Sequence, residues 1–344
     1  MIRFLIALLA LLFLPSALCA FQNYDIDDGL SQSVVFDIVQ DQQGFIWIST
    51  QAGLNRFDGN EFTVFTASNE TNSLANNYIY PLAIDNESTL FIGTRNSGVN
   101  QLALHNYQFS EPLLKERRIT SLLVAQQQVY IGTYDGSLFR YDKRAEQLET
   151  LITGLKKPIY ALSKIADILW IGTHGAGLLH YDLINNQQIN SVFSGFAEPV
   201  DIHASIFAIK QSSDGSIWLA SQGGGLYKIE LSTKTITQWL TSNDDNSGLS
   251  SNEIRDIEFD SQGLVWLATR GGGINVYDPI DASFTVLAHD PFDKYSLAHD
   301  RVYSIYRDSS DIMWFGTAHG ISKLDPASLQ FSKLKKPAPL SSND

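Results

Sequence analysis

This sequence of 344 residues is poor in cysteine, in positive charge and in long apolar segments. Cys19 is its only cysteine, so no internal disulfide can form and the fold must depend on packing. Lysine and arginine number 24 against 37 aspartates and glutamates, which gives a formal net charge of −13. An acidic chain lacks the positive surface that attracts nucleic-acid phosphates or anionic lipids, and we therefore expect neither as a partner.

One apolar run, from Phe4 to Leu14, lies near the N-terminus. Its 11 residues fall short of the roughly 20 that a membrane-spanning helix needs. Arg3 precedes the run and the sequence ALCA follows it at 17–20, which is typical of a cleaved secretory signal peptide. We predict a signal peptide over residues 1–20 and a periplasmic or other extracytoplasmic location. The alternative is that this segment stays uncleaved and anchors the chain. Lipidation of Cys19 is disfavoured because the bulky Leu18 precedes it.

A short phrase recurs seven times along the chain. Its copies include GFIWISTQAGL at 44–54 and LVWLATRGGGI at 264–274, and neighbouring copies are 39 to 48 residues apart. A period of about 40–50 residues carried by β-type segments is typical of a propeller, in which each repeat forms one blade. At the centre of each copy is an aromatic anchor, and we interpret these seven anchors as structural: Trp47, Phe91, Tyr130, Trp170, Trp218, Trp266 and Trp314.

Each repeat has the pattern of four strands, so the sequence predicts an all-β fold, a seven-bladed β-propeller of four-stranded antiparallel blades. The innermost strand has an apolar-x-x-apolar pattern, and the second strand is the repeated phrase. A small residue and then a hydroxyl follow each anchor, as Ala268 and Thr269 follow Trp266, and a glycine closes the next hairpin. Small residues allow blades to approach closely, and hydroxyls can bond neighbouring backbone.

The propeller is assigned to residues 21–336. Two segments compete for the outer place in the last blade, 21–26 and 331–334, and we favour the N-terminal one. Residues 337–344 are either a polar tail or the start of a truncated eighth repeat, because LSSND at 340–344 resembles LSSNE at 249–253.

The sequence contains little that indicates catalysis. Its seven histidines are scattered without metal-ligand spacing, and it has no nucleophile elbow, phosphate loop or HExxH motif. We therefore expect no catalytic residue, no metal site and no cofactor, and predict that the chain is not an enzyme. A stand-alone propeller lyase or glycosidase is a less favoured alternative, for which His174 and His319 are the only candidates for a lyase.

The turns after the second strands should lie at one end of the central channel, beside the starts of the inner strands. Except for Ala318, their first residues vary in type but stay large and polar, which is typical of a binding surface, although loop tips are also polar for no functional reason. Side chains of these types suit carbohydrate or carboxylate ligands. The ligand-binding candidates on this channel face are Gln51, Arg95, Tyr134, His174, Gln222 and Arg270 from the turns, with Asn77 and Asn252 from the strand starts.

The segment from Gly29 to Gly59 resembles the two-component regulator propeller family. Its most specific pieces are GLS at 29–31, the spacing Asp41-x-x-Gly44-x-x-Trp47, and Gly53-Leu54 followed by FDG at 57–59. The resemblance extends through all seven repeats, and it implies an extracytoplasmic sensor of the kind that precedes a histidine kinase or a diguanylate cyclase. The chain would then be part of a receptor without its output domain, binding a small extracellular ligand such as an oligosaccharide, or a partner domain. A protein-docking scaffold is the alternative.

Overall fold

The described residues form seven four-stranded antiparallel sheets. A computed structural model of the chain describes residues 21–70, 72–189, 193, 196, 202–241 and 248–328. The predicted signal peptide at 1–20 and the segment 329–344 lie outside the described residues. The predicted all-β, seven-bladed propeller is confirmed.

The strands are numbered in chain order and grouped here by blade, innermost strand first. Blade 1 contains β2 Val35–Gln40, β3 Ile46–Thr50, β4 Leu54–Phe57 and β5 Phe62–Phe65; blade 2 contains β6 Ile79–Ile84, β7 Thr89–Thr94, β8 Val99–Ala103 and β9 Gln108–Phe109; blade 3 contains β10 Ile119–Ala125, β11 Gln128–Thr133, β12 Leu138–Asp142 and β13 Gln147–Ile152; blade 4 contains β14 Ile159–Ile165, β15 Ile168–Thr173, β16 Leu178–Asp182 and β17 Gln187–Ile189; blade 5 contains β18 Ser205–Gln211, β19 Ile217–Gln222, β20 Leu226–Glu230 and β21 Thr235–Trp239; blade 6 contains β22 Ile254–Phe259, β23 Val265–Thr269, β24 Ile274–Asp278 and β25 Ser283–Leu287; blade 7 contains β26 Val302–Arg307, β27 Met313–Thr317, β28 Gly320–Leu324 and β1 Gln22–Tyr24.

The ring is closed by the N-terminal strand. Strand β1 pairs antiparallel with β28, with Asn23 opposite Ser322, and so supplies the outer strand of blade 7. The inner strands contact one another in sequence around the ring, and β26 of the last blade contacts β2 of the first. The competing segment 331–334 lies outside the described residues.

The repeated aromatic anchors lie at the boundaries between blades. Trp47 of blade 1 packs into a buried cluster with Ile79, Leu82 and Leu90 of blade 2, and every other anchor meets the following blade in the same way. All seven anchors are at most 3% exposed. Because both faces of each sheet are covered, the second strands are apolar along their whole length rather than alternating.

The hydroxyl that follows each anchor fastens the next hairpin. Thr269 Oγ1 donates a 2.7 Å hydrogen bond to the Gly273 carbonyl, and its equivalents in all seven blades make the same type of bond to the residue three or four positions later. These threonine and serine side chains are buried. The repeated hydroxyl therefore has a scaffold function, as its regularity in the sequence indicates.

An aspartate holds the turn before the second strand in blades 1, 6 and 7. In blade 6, Asp260 accepts a 2.9 Å hydrogen bond from the Trp266 indole Nε1 and further bonds from the backbone amides of Gln262 and Leu264. Asp41 with Trp47 and Asp308 with Trp314 make the same arrangement. This carboxylate–indole bond, here called the Asp–Trp pin, explains the Asp-x-x-Gly-x-x-Trp spacing.

A second fastening explains the Gly-Leu-Ser piece of the repeat. Leu30 is buried, and the Ser31 amide donates a 2.9 Å hydrogen bond to the buried Asn55 Oδ1 on β4. In blade 6, Leu249 is buried and the Ser250 amide bonds Asn275 in the same way. These contacts fix the segment that leads into each inner strand and so set the position of the channel mouth.

Candidate ligand-binding site at the channel mouth

Every inner strand is irregular near its first residues. In six of the seven inner strands one residue is skipped in the pairing with the second strand, as between Val35 and Asp37, and in blade 2 the skip spans Tyr80 and Pro81. Such a bulge bends the strand and turns a side chain away from the regular alternation of the sheet. The skipped residues therefore lie on the channel instead of between blades.

These skipped residues form a ring of large side chains around one cavity. The cavity has a volume of about 620 Å³, within the range of small-molecule sites. Each of the seven is half-buried, and five are aromatic. We call this group the mouth ring, and its members are Phe36, Tyr80, Thr120, Tyr160, Phe207, Arg255 and Tyr303.

Aromatic contacts link the mouth ring on two sides of the channel. Phe36 lies 4.8 Å from Tyr80 and 5.6 Å from Tyr303 between ring centroids. On the other side Tyr160 stacks on Phe207 with centroids 5.0 Å apart and an interplanar angle of 23°. Aromatic faces that remain half-exposed in a cavity are suited to stacking against flat ligand surfaces.

Arginines lie over these rings. The Arg255 guanidinium is 4.0 Å from the Phe207 centroid, and the Arg118 guanidinium is 4.2 Å from that of Tyr134 and 5.2 Å from that of Tyr80. Arg118 also donates a 3.1 Å hydrogen bond to the Tyr80 hydroxyl. Burial lowers the pKa of Arg255, and the nearby Arg270 lowers it further. The mouth thus combines cation–π stacking with positive charge.

The structure places the predicted turn residues close to the mouth ring. The backbone amides of Arg95, Tyr134 and His174 donate to the carbonyls of Tyr78, Arg118 and Pro158, which precede the inner strands of their own blades. This shows that the turns and the strand starts share one end of the channel. Side-chain contacts connect several of these turn residues to the mouth: Arg95 lies over Tyr78, Tyr134 under Arg118, and His174 against Tyr160 and Phe207.

Of the other predicted ligand-binding residues, one lines the cavity, two hydrogen-bond within the scaffold, and two lie outside the cavity lining. Arg270 lines the cavity and pairs with Glu253 at 3.3 Å. Asn77 accepts a bond from the Ala67 amide, and Asn252 exchanges two bonds with Thr241, so both are used in holding loops. Gln51 and Gln222 are at the ends of second strands, outside the residues that line the cavity. Ligand contact by any of the eight stays a prediction.

None of the mouth-ring residues was predicted from the sequence as a ligand-binding residue. They occupy the first x of the apolar-x-x-apolar pattern, and the excess of aromatic residues at that one position was the available signal. A bulge is not visible in the spacing of apolar residues, so these positions could equally have been assigned to the boundary between blades.

Two half-buried acids lie below the mouth ring. Asp37 accepts hydrogen bonds from the amides of Ile38 and Leu82, and Asp256 accepts from those of Ile257 and Ile305, so each carboxylate joins neighbouring inner strands. Burial raises the pKa of Asp37 to about 7 and that of Asp256 to about 6. Lys210 lies beside them and pairs with Glu258 at 2.7 Å. These groups stabilise the channel wall.

The two histidines that were considered for a lyase lie in different parts of the described structure. His174 lies at the mouth against Tyr160, whereas His319 lines a different depression together with Asn23 and His289. Within the described ranges no group of three or more histidine, cysteine, aspartate or glutamate side chains is arranged to hold a metal ion. Over the same residues, no helix has the length and apolar character to cross a membrane.

Three segments of the chain, residues 29–52, 248–271 and 296–319, match the family described as two component regulator propeller. These segments are the leading parts of blades 1, 6 and 7, the three blades that contain the Asp–Trp pin. Three of the seven repeats thus match this family. The matched segments contain these fastenings together with three members of the mouth ring, Phe36, Arg255 and Tyr303.

Known proteins of similar sequence or fold include receptor parts. A 45-residue segment is 49% identical to Histidine kinase P4 of Formosa agariphila, and it represents 13% of this chain and 3% of that kinase. The fold is similar to the extracellular domains of the putative one component system BT4673 (TM-score 0.73) and the putative hybrid two component system BT3049 (TM-score 0.74) of B. thetaiotaomicron. Both are 23% identical to this chain over 89% of its length. The chain spans only 40% and 41% of those two structures.

Proposed function

We propose that this regulator propeller is the extracytoplasmic, ligand-binding portion of a two-component-type receptor, and that its small ligand binds at the channel mouth. The observation that carries the proposal is the mouth ring, a half-buried set of aromatic and arginine side chains around a cavity of about 620 Å³. Scaffold positions in this chain repeat their residue type from blade to blade, whereas the turn positions beside the mouth ring change type and are large and polar in six of the seven blades, Ala318 being the exception. Variation of this kind is expected of residues selected for a ligand.

The similarity to extracellular domains of putative one- and two-component systems supports the sensor role. The predicted signal peptide supports an extracytoplasmic location. The proposal assigns no catalysis to the propeller, so signalling would require an output domain elsewhere in the receptor. The non-catalytic role belongs to the same proposal.

A thermal-shift screen of the purified chain against neutral oligosaccharides, acidic oligosaccharides and organic acids tests the sensor role. A ligand present at 100 times its Kd is expected to stabilise the fold by about 2.7 kcal/mol. Arg95→Ala and Arg270→Ala alter exposed side chains at the mouth and should weaken that shift. Arg144→Ala, in the exposed turn between β12 and β13 at the opposite end of blade 3, should leave it unchanged. A shift that is equal in all three variants would place the ligand elsewhere.

A protein-docking function is the second candidate. Phe292 is 98% exposed in the loop that joins β25 to β26, and Tyr295 in the same loop is 51% exposed. Exposed aromatic residues are frequent in protein interfaces. Absence of any small-molecule shift from a folded protein, together with loss of partner binding in Phe292→Ser, would favour this function over the sensor.

A further inference from the structure

Two arginines of the channel mouth, Arg118 and Arg255, differ in their partners from several other half-buried cations of the described chain. Lys143, Arg140, Lys210 and Lys228 each pair with a carboxylate within 2.7 Å. Among the described residues, neither Arg118 nor Arg255 has a carboxylate within ion-pair distance, although both guanidiniums are half-buried. Their charge is instead directed over the rings of Tyr80, Tyr134 and Phe207.

Both guanidiniums also carry buried donors without a partner. The Nε atoms of Arg118 and Arg255 are buried and make no hydrogen bond within the described structure. Leaving a buried donor unsatisfied is destabilising, and more so for a charged group. Two such groups on one cavity are therefore expected to be compensated when a ligand supplies acceptors.

Three carboxylates in or beside the cavity are already engaged. Asp256, adjacent to Arg255 in sequence, accepts from the amides of Ile257 and Ile305 in the seam between blades 6 and 7. Asp37 accepts from Ile38 and Leu82 in the seam between blades 1 and 2. Glu253 pairs with Arg270. None of these three carboxylates forms an ion pair with Arg118 or Arg255.

We infer that the ligand of the channel mouth carries a carboxylate that binds Arg118 or Arg255, on a ring-shaped body that stacks on the aromatic residues of the mouth ring. Guanidinium groups bind carboxylates with two parallel hydrogen bonds, and they do so most strongly where water is excluded. This inference rests on the proposed sensor function and narrows it from any small ligand to an acidic one. A uronic acid oligosaccharide and an aromatic carboxylic acid share the required chemistry.

Titration calorimetry with matched probes tests the inference and separates the two sources. The probes are tri-galacturonate, its fully methyl-esterified form, and benzoate. Tri-galacturonate is expected to bind, and the ester at least tenfold more weakly, because only the carboxylates differ. If benzoate binds and tri-galacturonate does not, the ligand still carries a carboxylate, and its ring is that of an aromatic acid and not of a uronic acid.

Substitutions at the two arginines provide the second arm. Arg118→Gln and Arg255→Gln are each expected to raise the Kd of the acidic probe about tenfold or more and to flatten its dependence on salt concentration. Arg255→Lys should retain part of the affinity, and Arg144→Gln at the opposite end of the blade should retain all of it. The melting temperature of each variant without ligand establishes that it is folded, and the salt dependence is a readout that a purely structural role would not change.

Two results would overturn the inference in different ways. Equal or tighter binding of the methyl ester, with unchanged affinity in Arg255→Gln, would reject the carboxylate while leaving the sensor function in place. Failure of all three probes to bind a folded chain would reject the acidic ligand. If neutral oligosaccharides and organic acids then also produce no thermal shift, the sensor function fails with it.

Discussion

Blades 1, 6 and 7 hold the turn before their second strand with the Asp–Trp pin, whereas blade 2 replaces the pin and blades 3 and 4 lack it. In blade 2 the anchor is Phe91, which has no donor, and Asp85 instead accepts a 2.7 Å bond from Lys143 of blade 3. In blade 5 the Trp218 indole donates to the Ser212 hydroxyl at 3.2 Å. Where this turn carries a buried or half-buried side-chain acceptor, a donor side chain meets it. That donor is the indole of the same blade in blades 1, 5, 6 and 7, and a lysine of the neighbouring blade in blade 2.

The largest expected effect is at the replaced pin of blade 2. The Asp85 and Lys143 side chains are only 1% and 9% exposed, so Lys143→Met leaves a buried carboxylate unpaired. We expect this substitution to lower the free energy of unfolding by about 3–5 kcal/mol in urea denaturation. Lys164→Met, which alters an exposed lysine of blade 4, should change it by less than about 0.5 kcal/mol.

The same site offers a way to convert one kind of blade into the other. Phe91→Trp alone overpacks a fully buried position, but in the Lys143→Met background its indole can donate to Asp85 as Trp47 does to Asp41. A double-mutant cycle should therefore give a favourable coupling of about 1 kcal/mol or more. A coupling of zero would show that the two arrangements are not interchangeable.

An intermediate effect is expected where the pin itself is removed. Asp260 is 5% exposed and accepts from the Trp266 indole and two backbone amides, so Asp260→Ala leaves three donors without their acceptor. We expect a loss of about 3 kcal/mol in unfolding free energy. Asp167→Ala, in the corresponding turn of blade 4 where the aspartate is exposed, should cost less than about 0.5 kcal/mol. Equal costs at the two positions would contradict the distinction between pinned and unpinned blades.

The smallest expected change in unfolding free energy is at the contacts between neighbouring inner strands. Asp37 accepts from the Leu82 amide between blades 1 and 2, and Ser121 donates to the Ile159 carbonyl between blades 3 and 4. The pKa of Asp37 is raised from its usual 3.8 to about 7, chiefly by burial. Between these values the folded state retains a proton that the unfolded state has lost. The contribution of Asp37 to stability is therefore fullest below about pH 4 and declines as the pH rises to 7.

This pH dependence can be measured with Asp37→Asn, which cannot titrate. Relative to the wild type, the variant should gain at least about 1 kcal/mol of unfolding free energy between pH 4.5 and pH 7.5, since one pKa unit corresponds to about 1.4 kcal/mol. Ser121→Ala changes a seam without a titratable group and should show the same cost at both pH values. A pH-independent cost for Asp37→Asn would mean that the Asp37 carboxyl titrates at its ordinary pKa.

The scaffold could be predicted from the sequence because each fastening recurs at a fixed spacing. Trp266, Thr269 and Gly273 have counterparts in every blade, so their shared role is visible without coordinates. The mouth could be predicted only in part. Tyr134 and His174 follow a repeated phrase and could be located by counting, but Phe207 and Arg255 lie on bulges, and neither the bulge nor the missing ion pair of Arg255 is encoded in a spacing.

Closure by β1 has a consequence for the order in which the molecule assembles. Strand β1, which completes blade 7, precedes its partner β28 by about 300 residues in the chain. Strand β1 can therefore pair only after the rest of the propeller has been synthesised. Until that moment β28 presents an open edge to any other extended chain, a recognised hazard for aggregation. Closure thus places the chain's own N-terminal strand on the edge that a foreign strand would otherwise occupy.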